Sequence, residues 1–264
     1  MAKKKKQQEE ANQEAVMGVV DHIREFRNRL FVILVVFVAA LLICFNYAAP
    51  LVDILKTPAG ELYTFVYLAP SEVLMEYVKV SIIAALAISA PVIMYELLAF
   101  ASPGLKVSEK TFTMAVLLLG LVFFVLGVVF AYYVMVPFML KFFSDINVNT
   151  DIYAQISLEK YLTFVLKILG MMGVVFEIPV VTILLTQLGL LRPEWLKKGR
   201  RLIIILIFVI AAIITPPDVV SQVMTAVPML VLFELSIFFS SFIVKRKDKA
   251  AAKKKAKEEQ YKYQ

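Results

Sequence analysis

The chain has 264 residues, 61% of them hydrophobic, and a mean hydropathy of +0.80, which excludes an ordinary water-soluble domain. Its formal net charge of +7 lies mainly at the two ends and beside apolar runs, which favours contact with anionic lipid over nucleic acid. With one cysteine, Cys44, and one histidine, His22, neither a disulfide framework nor a thiolate metal site is expected within one chain, and we predict no cofactor.

Apolar runs of near-membrane length recur along the whole sequence, and no cleavable signal peptide is evident ahead of the first of them. Because they are hydrophobic on all sides, the runs predict an all-α membrane protein with six transmembrane helices. The runs cover residues 30–49, 73–99, 112–136, 162–186, 202–214 and 219–244.

The fifth run has only 13 residues, about 20 Å of helix, against a hydrocarbon core of about 30 Å. The connection to the sixth run is Thr215-Pro216-Pro217-Asp218, too short for anything but an antiparallel turn. We therefore predict a short hairpin of helices five and six, with Asp218 as the N-cap of the latter.

Lysine and arginine are distributed unevenly between the two sides of the predicted membrane domain. The segments that share a side with the termini carry 23 of these residues, and the opposite loops carry three. The positive-inside rule then places both termini in the cytoplasm. We divide the chain into a polar tail (1–20), a transmembrane domain (21–244) and a basic tail predicted to be disordered (245–264).

Two cytoplasmic approaches to the membrane carry lone carboxylates. In the first, His22, Glu25 and Arg29 lie at i, i+3 and i+7 of a helix, so Glu25 either pairs with Arg29 or is available to a ligand. In the second, Pro103-Gly104 breaks the helix, and Glu109 either stabilises the next helix start or binds a ligand. Carboxylates at such an interface suit a guanidinium, which they bind through two charge-assisted hydrogen bonds.

Glu177 is the acidic residue that lies deepest in an apolar run, with no charged residue at i±3 or i±4. Charge in that position is costly, so Glu177 must be protonated, paired with another helix or directed into a polar cavity. The two interpretations are a site for a partner helix or proton, and a buried structural hydrogen bond. In contrast, Glu72, Glu76 and Lys79 form a stripe that can pair within itself.

The sequence lacks a phosphate-binding loop, an H-E-x-x-H zinc helix and a G-x-S-x-G elbow, so we predict that the protein is not an enzyme. A small-solute transporter is the main alternative, but no internal repeat with paired broken helices is present. An intramembrane enzyme is a third possibility, which the missing catalytic constellation disfavours.

Five segments in order resemble the TatC family, the multispanning receptor subunit of the twin-arginine protein translocase. Residues 22–30 are similar to its H-L-x-E-L-R-x-R-L motif, with Ile23 and Phe26 in place of leucines. Residues 95–109 resemble its Y-x-x-W-x-F-x-x-P-x-L-x-x-x-E loop, with Leu98 in place of tryptophan. The remaining segments resemble the F-E-x-P element, the T-P-P-D-x-x-S-Q element and the last helix, at residues 172–179, 215–222 and 228–237.

The resemblance implies a concave bundle in the cytoplasmic (inner) membrane that binds twin-arginine signal peptides and passes folded cargo across using the proton-motive force. It further implies single-span partners of the TatA/TatB type and other copies of the chain, besides the lipid. Glu25 and Glu109 would bind the two guanidiniums, and Glu177 and Gln222 would contact the partners. The implied supporting residues are Phe100, Pro103, Leu105, His22 and Arg27 around the peptide, and Pro58, Pro179, Pro216, Pro217 and Asp218 in the scaffold.

Overall fold

The computed structural model describes residues 2–101, 107–147 and 155–262. Side chains are described for residues 22–97, 99–100, 114–146, 155–247 and 249. Pro103 and Leu105 lie outside the described residues, and Glu109 is described only as part of a helix backbone.

The described chain is built almost entirely of helices. The first half contains α1 (Ala2–Asn46), α2 (Ala48–Lys56), a 3-10 turn (Thr57–Ala59), strand β1 (Thr64–Val66) and α3 (Pro70–Ala101). The second half contains α4 (Val107–Phe130), a π-helical turn (Ala131–Met135), α5 (Val136–Asn147), strand β2 (Gln155–Ser157), α6 (Leu158–Gln187), α7 (Pro193–Lys198), α8 (Arg200–Ile214) and α9 (Val219–Lys262).

Within the described residues, five helical stretches are long and apolar enough to cross a membrane. These are His22–Asn46, Pro70–Leu97, Met114–Ile146, Leu158–Gln187 and Val219–Lys247. The fifth apolar run of the sequence corresponds to α8, whose 15 residues span about 22 Å. Helix five is therefore short, as predicted. The chain has a sixth crossing only if α8 also spans the membrane despite its short length.

The prediction that helix six is also short is wrong. The apolar stretch of α9 has 29 residues, and the helix continues through the basic tail to Lys262. Alanine, lysine and glutamate are strong helix formers, so a helix that begins in an apolar segment propagates readily into such a tail. The predicted disorder of the basic tail, residues 245–264, stays a prediction.

Helix α6 lies at the centre of the bundle and packs against α3, α4 and α9, while α1 packs against α3. The largest group of buried side chains includes Met139, Leu162, Ile168 and Met172. A second group, around Met229, joins α6 to the α8–α9 hairpin. This arrangement leaves α6 with contacts on several sides, so it determines where the groups on the other helices lie.

Glycine allows α4 and α6 to approach closely. A β-carbon at Gly127 would lie 2.5 Å from the Met172 carbonyl oxygen, and one at Gly173 would lie 2.8 Å from the Phe124 ring. Small residues at such crossings permit van der Waals packing between membrane helices. The two glycines therefore fix the spacing of the helices that position Glu177.

At one end of the bundle, β1 and β2 form a two-stranded parallel sheet that pairs Thr64 with Gln155. The Tyr63 hydroxyl donates to the Leu140 carbonyl oxygen at 2.8 Å and so anchors this end to α5. Burial, and secondarily the negative charge of Asp145, raise the pKa of Tyr63, which keeps the hydroxyl protonated as a donor at neutral pH.

The Glu72 carboxylate joins the starts of α3 and α6. It accepts hydrogen bonds from the Leu68 amide at 2.6 Å and the Ala69 amide at 3.3 Å, both just ahead of its own helix. It also accepts from the Ser157 hydroxyl at 2.6 Å and the Glu159 amide at 3.1 Å. A single carboxylate thus satisfies amides at two helix N-termini, where negative charge is favourable.

Candidate functional site

A guanidinium bridges two carboxylates at the start of the first membrane helix. Arg29 donates from Nε and Nη2 to Glu25 Oε1 at 3.0 and 2.6 Å. From Nη1 it donates to Glu96 Oε2 on α3 at 2.7 Å. The side chains of Glu25, Arg29 and Glu96 are 36%, 25% and 13% exposed, so the cluster lies at a surface with Glu96 as its deepest member.

The aromatic side chains of His22, Phe26 and Phe100 pack together beside this cluster. The His22 ring stacks on Phe100 with centroids 4.2 Å apart and an interplanar angle of 16°. Phe26 packs against the same ring at 5.3 Å. His22 Nδ1 lies 3.9 Å from Glu25 Oε2, too far for a hydrogen bond but close enough for attraction when the imidazole is protonated. The cluster therefore combines carboxylates with a flat apolar face.

The structure brings together some of the predicted peptide-binding residues and leaves others apart. Glu25, His22 and Phe100 are adjacent, whereas exposed Arg27 donates at 3.3 Å to its neighbour Asn28. The pairing of Glu25 with Arg29, one of two interpretations of the spacing, is confirmed. Sequence reasoning missed the role of Glu96, because no local pattern links residues 67 positions apart.

Glu177 lies in the middle of α6, beside an apolar cavity of about 530 Å³ lined by α2, α3, α4 and α6. Within the described part of the chain, neither of its carboxylate oxygens has a hydrogen-bond partner. A β-carbon at Gly120 would lie 2.9 Å from Glu177 Oε2, so glycine at that position makes room for the carboxylate. Of the two interpretations of Glu177, the buried structural hydrogen bond is therefore not found among the described residues.

The α8–α9 turn has the predicted cap. The Asp218 carboxylate accepts from the Ser221 amide at 2.7 Å and also from the Ser221 hydroxyl, which confirms Asp218 as the N-cap of α9. Gln222 donates from Nε2 to the Phe208 carbonyl oxygen of α8 at 3.0 Å. That amide lines a groove formed by α8 and α9, so Gln222 and Glu177 line different grooves.

The predicted scaffold prolines lie at breaks and contacts. Pro58 is in the 3-10 turn after α2, and Pro216 and Pro217 form the connection between α8 and α9. Pro179 is buried inside α6, two residues after Glu177. Since proline has no amide hydrogen, Pro179 leaves the backbone carbonyl four residues before it without its usual helical partner.

The five long apolar helices of the described chain, with charged groups mainly towards their ends and Glu177 well inside one of them, define a multi-pass membrane protein. A family model described as Sec-independent protein translocase protein (TatC) matches residues 21–228. The chain belongs to the TatC family and is a component of that protein translocase.

Two relatives that the chain covers almost completely carry the same name. The chain is 36% identical over 227 residues to the Sec-independent protein translocase protein TatC of Aquifex aeolicus, covering 84% of this chain and 94% of that protein. It is 32% identical over 225 residues to the TatC of Halalkalibacterium halodurans, covering 85% and 89%.

Two crystal structures of the twin arginine translocase receptor TatC are similar in fold. One has a TM-score of 0.75 at 35% identity and covers 84% of this chain and 98% of its own. The other, in the detergent DDM, has a TM-score of 0.77 at 35% identity and covers 83% and 99%.

Proposed function

We propose that this chain is the receptor subunit of a twin-arginine protein translocase in the cytoplasmic membrane. It binds the signal peptides of folded cargo at its cytoplasmic face, with Glu25 and Glu109 receiving the two arginines. With single-span partners of the TatA/TatB type and further copies of itself, it exports the cargo using the proton-motive force. It is not an enzyme.

The observation that carries the proposal is the bridge from Arg29 to Glu25 and Glu96. A carboxylate that accepts two hydrogen bonds from one guanidinium at 2.6 and 3.0 Å has the geometry that an arginine of a peptide requires. The stacked rings of His22 and Phe100 beside it supply a flat surface for the apolar part of a peptide. The receptor proposal is supported by this combination.

An incoming arginine has to take the place of Arg29 on Glu25. Because Arg29 also donates to Glu96, its guanidinium keeps one carboxylate partner when Glu25 is transferred to the peptide. The exchange leaves neither guanidinium without a carboxylate, which lowers its free-energy cost. Glu109, in the first turn of α4, is proposed to bind the second arginine.

We propose six crossings with both termini in the cytoplasm. The segments on the side of the termini carry 23 lysines and arginines, and the opposite loops carry three, which supports this orientation. Arg201 precedes the apolar part of α8 and extends its reach by directing its charged end towards the headgroups, while Arg200 donates to Glu234 Oε2 on α9 at 2.6 Å. A local thinning of the bilayer accommodates the remaining mismatch of this short helix.

Glu177 is proposed as a contact for a polar group of a partner helix. Its two oxygens have no hydrogen-bond partner in the described chain, and the cavity beside it is otherwise lined almost entirely by apolar side chains. A helix that inserts there gains both apolar contact and a hydrogen bond. The separate groove at Gln222 offers a second contact on the α8–α9 hairpin.

The receptor role is tested by peptide binding to the full chain in lipid nanodiscs. We expect Glu25→Ala and Glu109→Ala each to weaken binding of a twin-arginine peptide by at least tenfold, since a hydrogen bond to a charged group contributes about 1.5–3 kcal/mol. Glu61→Ala removes an exposed carboxylate from the loop between α2 and α3 and serves as the matched control. Unchanged binding by the Glu25 and Glu109 variants would exclude the proposed site.

A further inference from the structure

Two lysines on α6 line an open cleft between that helix and the end of α8. Lys160 and Lys167 lie at i and i+7, so they share one face of α6 two turns apart. The cleft has a volume of about 410 Å³ and is closed on the far side by Ile213 and the Thr215–Pro216 turn. None of the functions proposed above uses this cleft.

Neither lysine has an ion-pair partner within the described part of the chain. The one carboxylate of the cleft, Glu159, lies 3.4 Å from the ammonium of Lys79 on α3. The same ammonium lies 2.5 Å from Glu76 Oε1, so Lys79 is already paired with both carboxylates. The cleft therefore presents two lysines that have no direct ion-pair partner among the described residues, with Glu159 held towards Lys79.

The depth of Lys167 makes this lack of a partner costly. It lies nine residues after Leu158, about 13 Å along α6 from the start of that helix. A lysine near the centre of a bilayer costs roughly 2.5–3.5 kcal/mol on insertion scales. The α8–α9 turn lines the same cleft, so the end of the short helix α8 lies near the level of this lysine.

We propose that the cleft binds one anionic phospholipid from the leaflet at the α8–α9 turn. The headgroup phosphate lies between Lys160 and Lys167, and an acyl chain packs against Phe164 and Ile213. The charges of the two lysines favour the phosphate, and Ile213, which is 72% exposed, offers an apolar surface that a free phosphate ion would leave in water. This proposal does not depend on the receptor role.

The test is local quenching of tryptophan fluorescence in nanodiscs. The chain has one tryptophan, Trp195, so Trp195→Phe combined with Ile213→Trp places a single reporter at the cleft. Brominated phosphatidylglycerol and brominated phosphatidylcholine are compared at equal small mole fractions in an otherwise zwitterionic bilayer. We expect the anionic lipid to quench at lower mole fraction.

The lysines are then tested one at a time on the reporter background. Lys160→Gln and Lys167→Gln should each reduce the apparent preference for the anionic lipid about fivefold, the contribution of one basic residue near a charged headgroup. Lys167→Arg should retain the preference. Lys141→Gln, which removes an exposed lysine of α5 towards the same end of the bundle, should leave it unchanged.

Three outcomes would overturn the proposal. Equal quenching by the two lipids in the reporter protein would show that the cleft does not select an anionic headgroup. A preference that survives both glutamine substitutions would place the anionic lipid elsewhere. Loss of the preference in excess inorganic phosphate would identify a general anion site instead of a phospholipid site.

Discussion

Arg29 is both a structural neighbour of Glu25 and a competitor for it. The Arg29 guanidinium is bound to Glu25, the carboxylate that a signal-peptide arginine is proposed to bind. Glu96 is the second carboxylate that holds Arg29 in place. The resting chain thus holds its own arginine in the proposed peptide site. The hydrogen bonds that Arg29 loses when it leaves Glu25 reduce the affinity for a peptide.

Replacing Arg29 should therefore change peptide selection. We expect Arg29→Gln to bind twin-arginine peptides about three- to tenfold more tightly, because the glutamine leaves a carboxylate pair without its cation. The affinity of a twin-lysine peptide should rise by a larger factor, because any cation is attracted to the vacated carboxylates. Titration of both peptides measures this.

Arg201→Gln removes a basic residue of α8 that makes no hydrogen bond or ion pair within the described chain, and is the control. Weaker binding of the twin-arginine peptide by Arg29→Gln than by this control would contradict the competition.

Glu177 makes a separate residue-scale prediction. Because its carboxyl oxygens have no partner in the described chain, Glu177→Ala should leave twin-arginine peptide binding within about twofold, an effect well below that of one lost charged hydrogen bond. Crosslinking of a TatA/TatB-type partner to the cavity between α3 and α6 should fall markedly. The opposite pattern, with peptide binding lost and crosslinking retained, would assign Glu177 to the peptide.

Local patterns in the sequence predicted some of these residues and could not predict others. The i, i+4 spacing was enough to suggest the Glu25–Arg29 pair, and the turn before α9 was enough to predict the cap at Asp218. Glu96 joins the cluster only because α1 packs against α3. A contact of this kind depends on tertiary packing, which the local spacing of charges does not encode.

At the scale of elements, the pairing of α4 with α6 positions Glu177. Gly120, Gly127 and Gly173 all lie where the two helices approach each other. The sequence indicated apolar helices but did not reveal which of its nine glycines permit close packing. The hydrogen bonds of Glu72 were equally unpredictable, because the Ser157 hydroxyl and the Glu159 amide that it accepts from lie at the start of a helix far away in sequence.

The helix crossing predicts the effect of one substitution. Gly127→Val should lower thermal stability in detergent by an amount equivalent to about 1–3 kcal/mol, because its β-carbon would overlap the Met172 backbone and the Phe176 ring. Gly170→Ala, at a helical position with nothing within 4 Å of a β-carbon, is the matched control and should be tolerated. An equal loss of stability in both variants would indicate a backbone effect common to glycine positions.

At the scale of the whole molecule, the composition of the sequence predicts the class of protein more reliably than it predicts the lengths of the helices. Hydrophobicity alone indicated a multi-pass membrane protein, and the family comparison is consistent with it. Helix ends were less predictable, because α9 continues through its basic tail and α8 stops after 15 residues. Apolar runs report which residues prefer lipid, whereas helix ends also depend on propensity and capping.

The proposed receptor role requires a carboxylate cluster on the cytoplasmic side of the membrane that binds paired arginines. The most direct measurement is photocrosslinking of a twin-arginine peptide to the chain in sealed membrane vesicles of known orientation. A photoreactive phenylalanine replaces Phe26, which contacts Phe100 beside Glu25, and in a matched variant it replaces Tyr67, in the loop between α2 and α3. Both side chains are aromatic and exposed, so the substitutions are equivalent in size and accessibility.

We expect crosslinking at position 26 in inside-out vesicles only. Unlabelled twin-arginine peptide should compete for it, and twin-lysine peptide should compete at least tenfold less well, because lysine lacks the planar fork of donors that matches a carboxylate. Crosslinking at position 67, or at position 26 in right-side-out vesicles only, would exclude a peptide site at the cytoplasmic carboxylates.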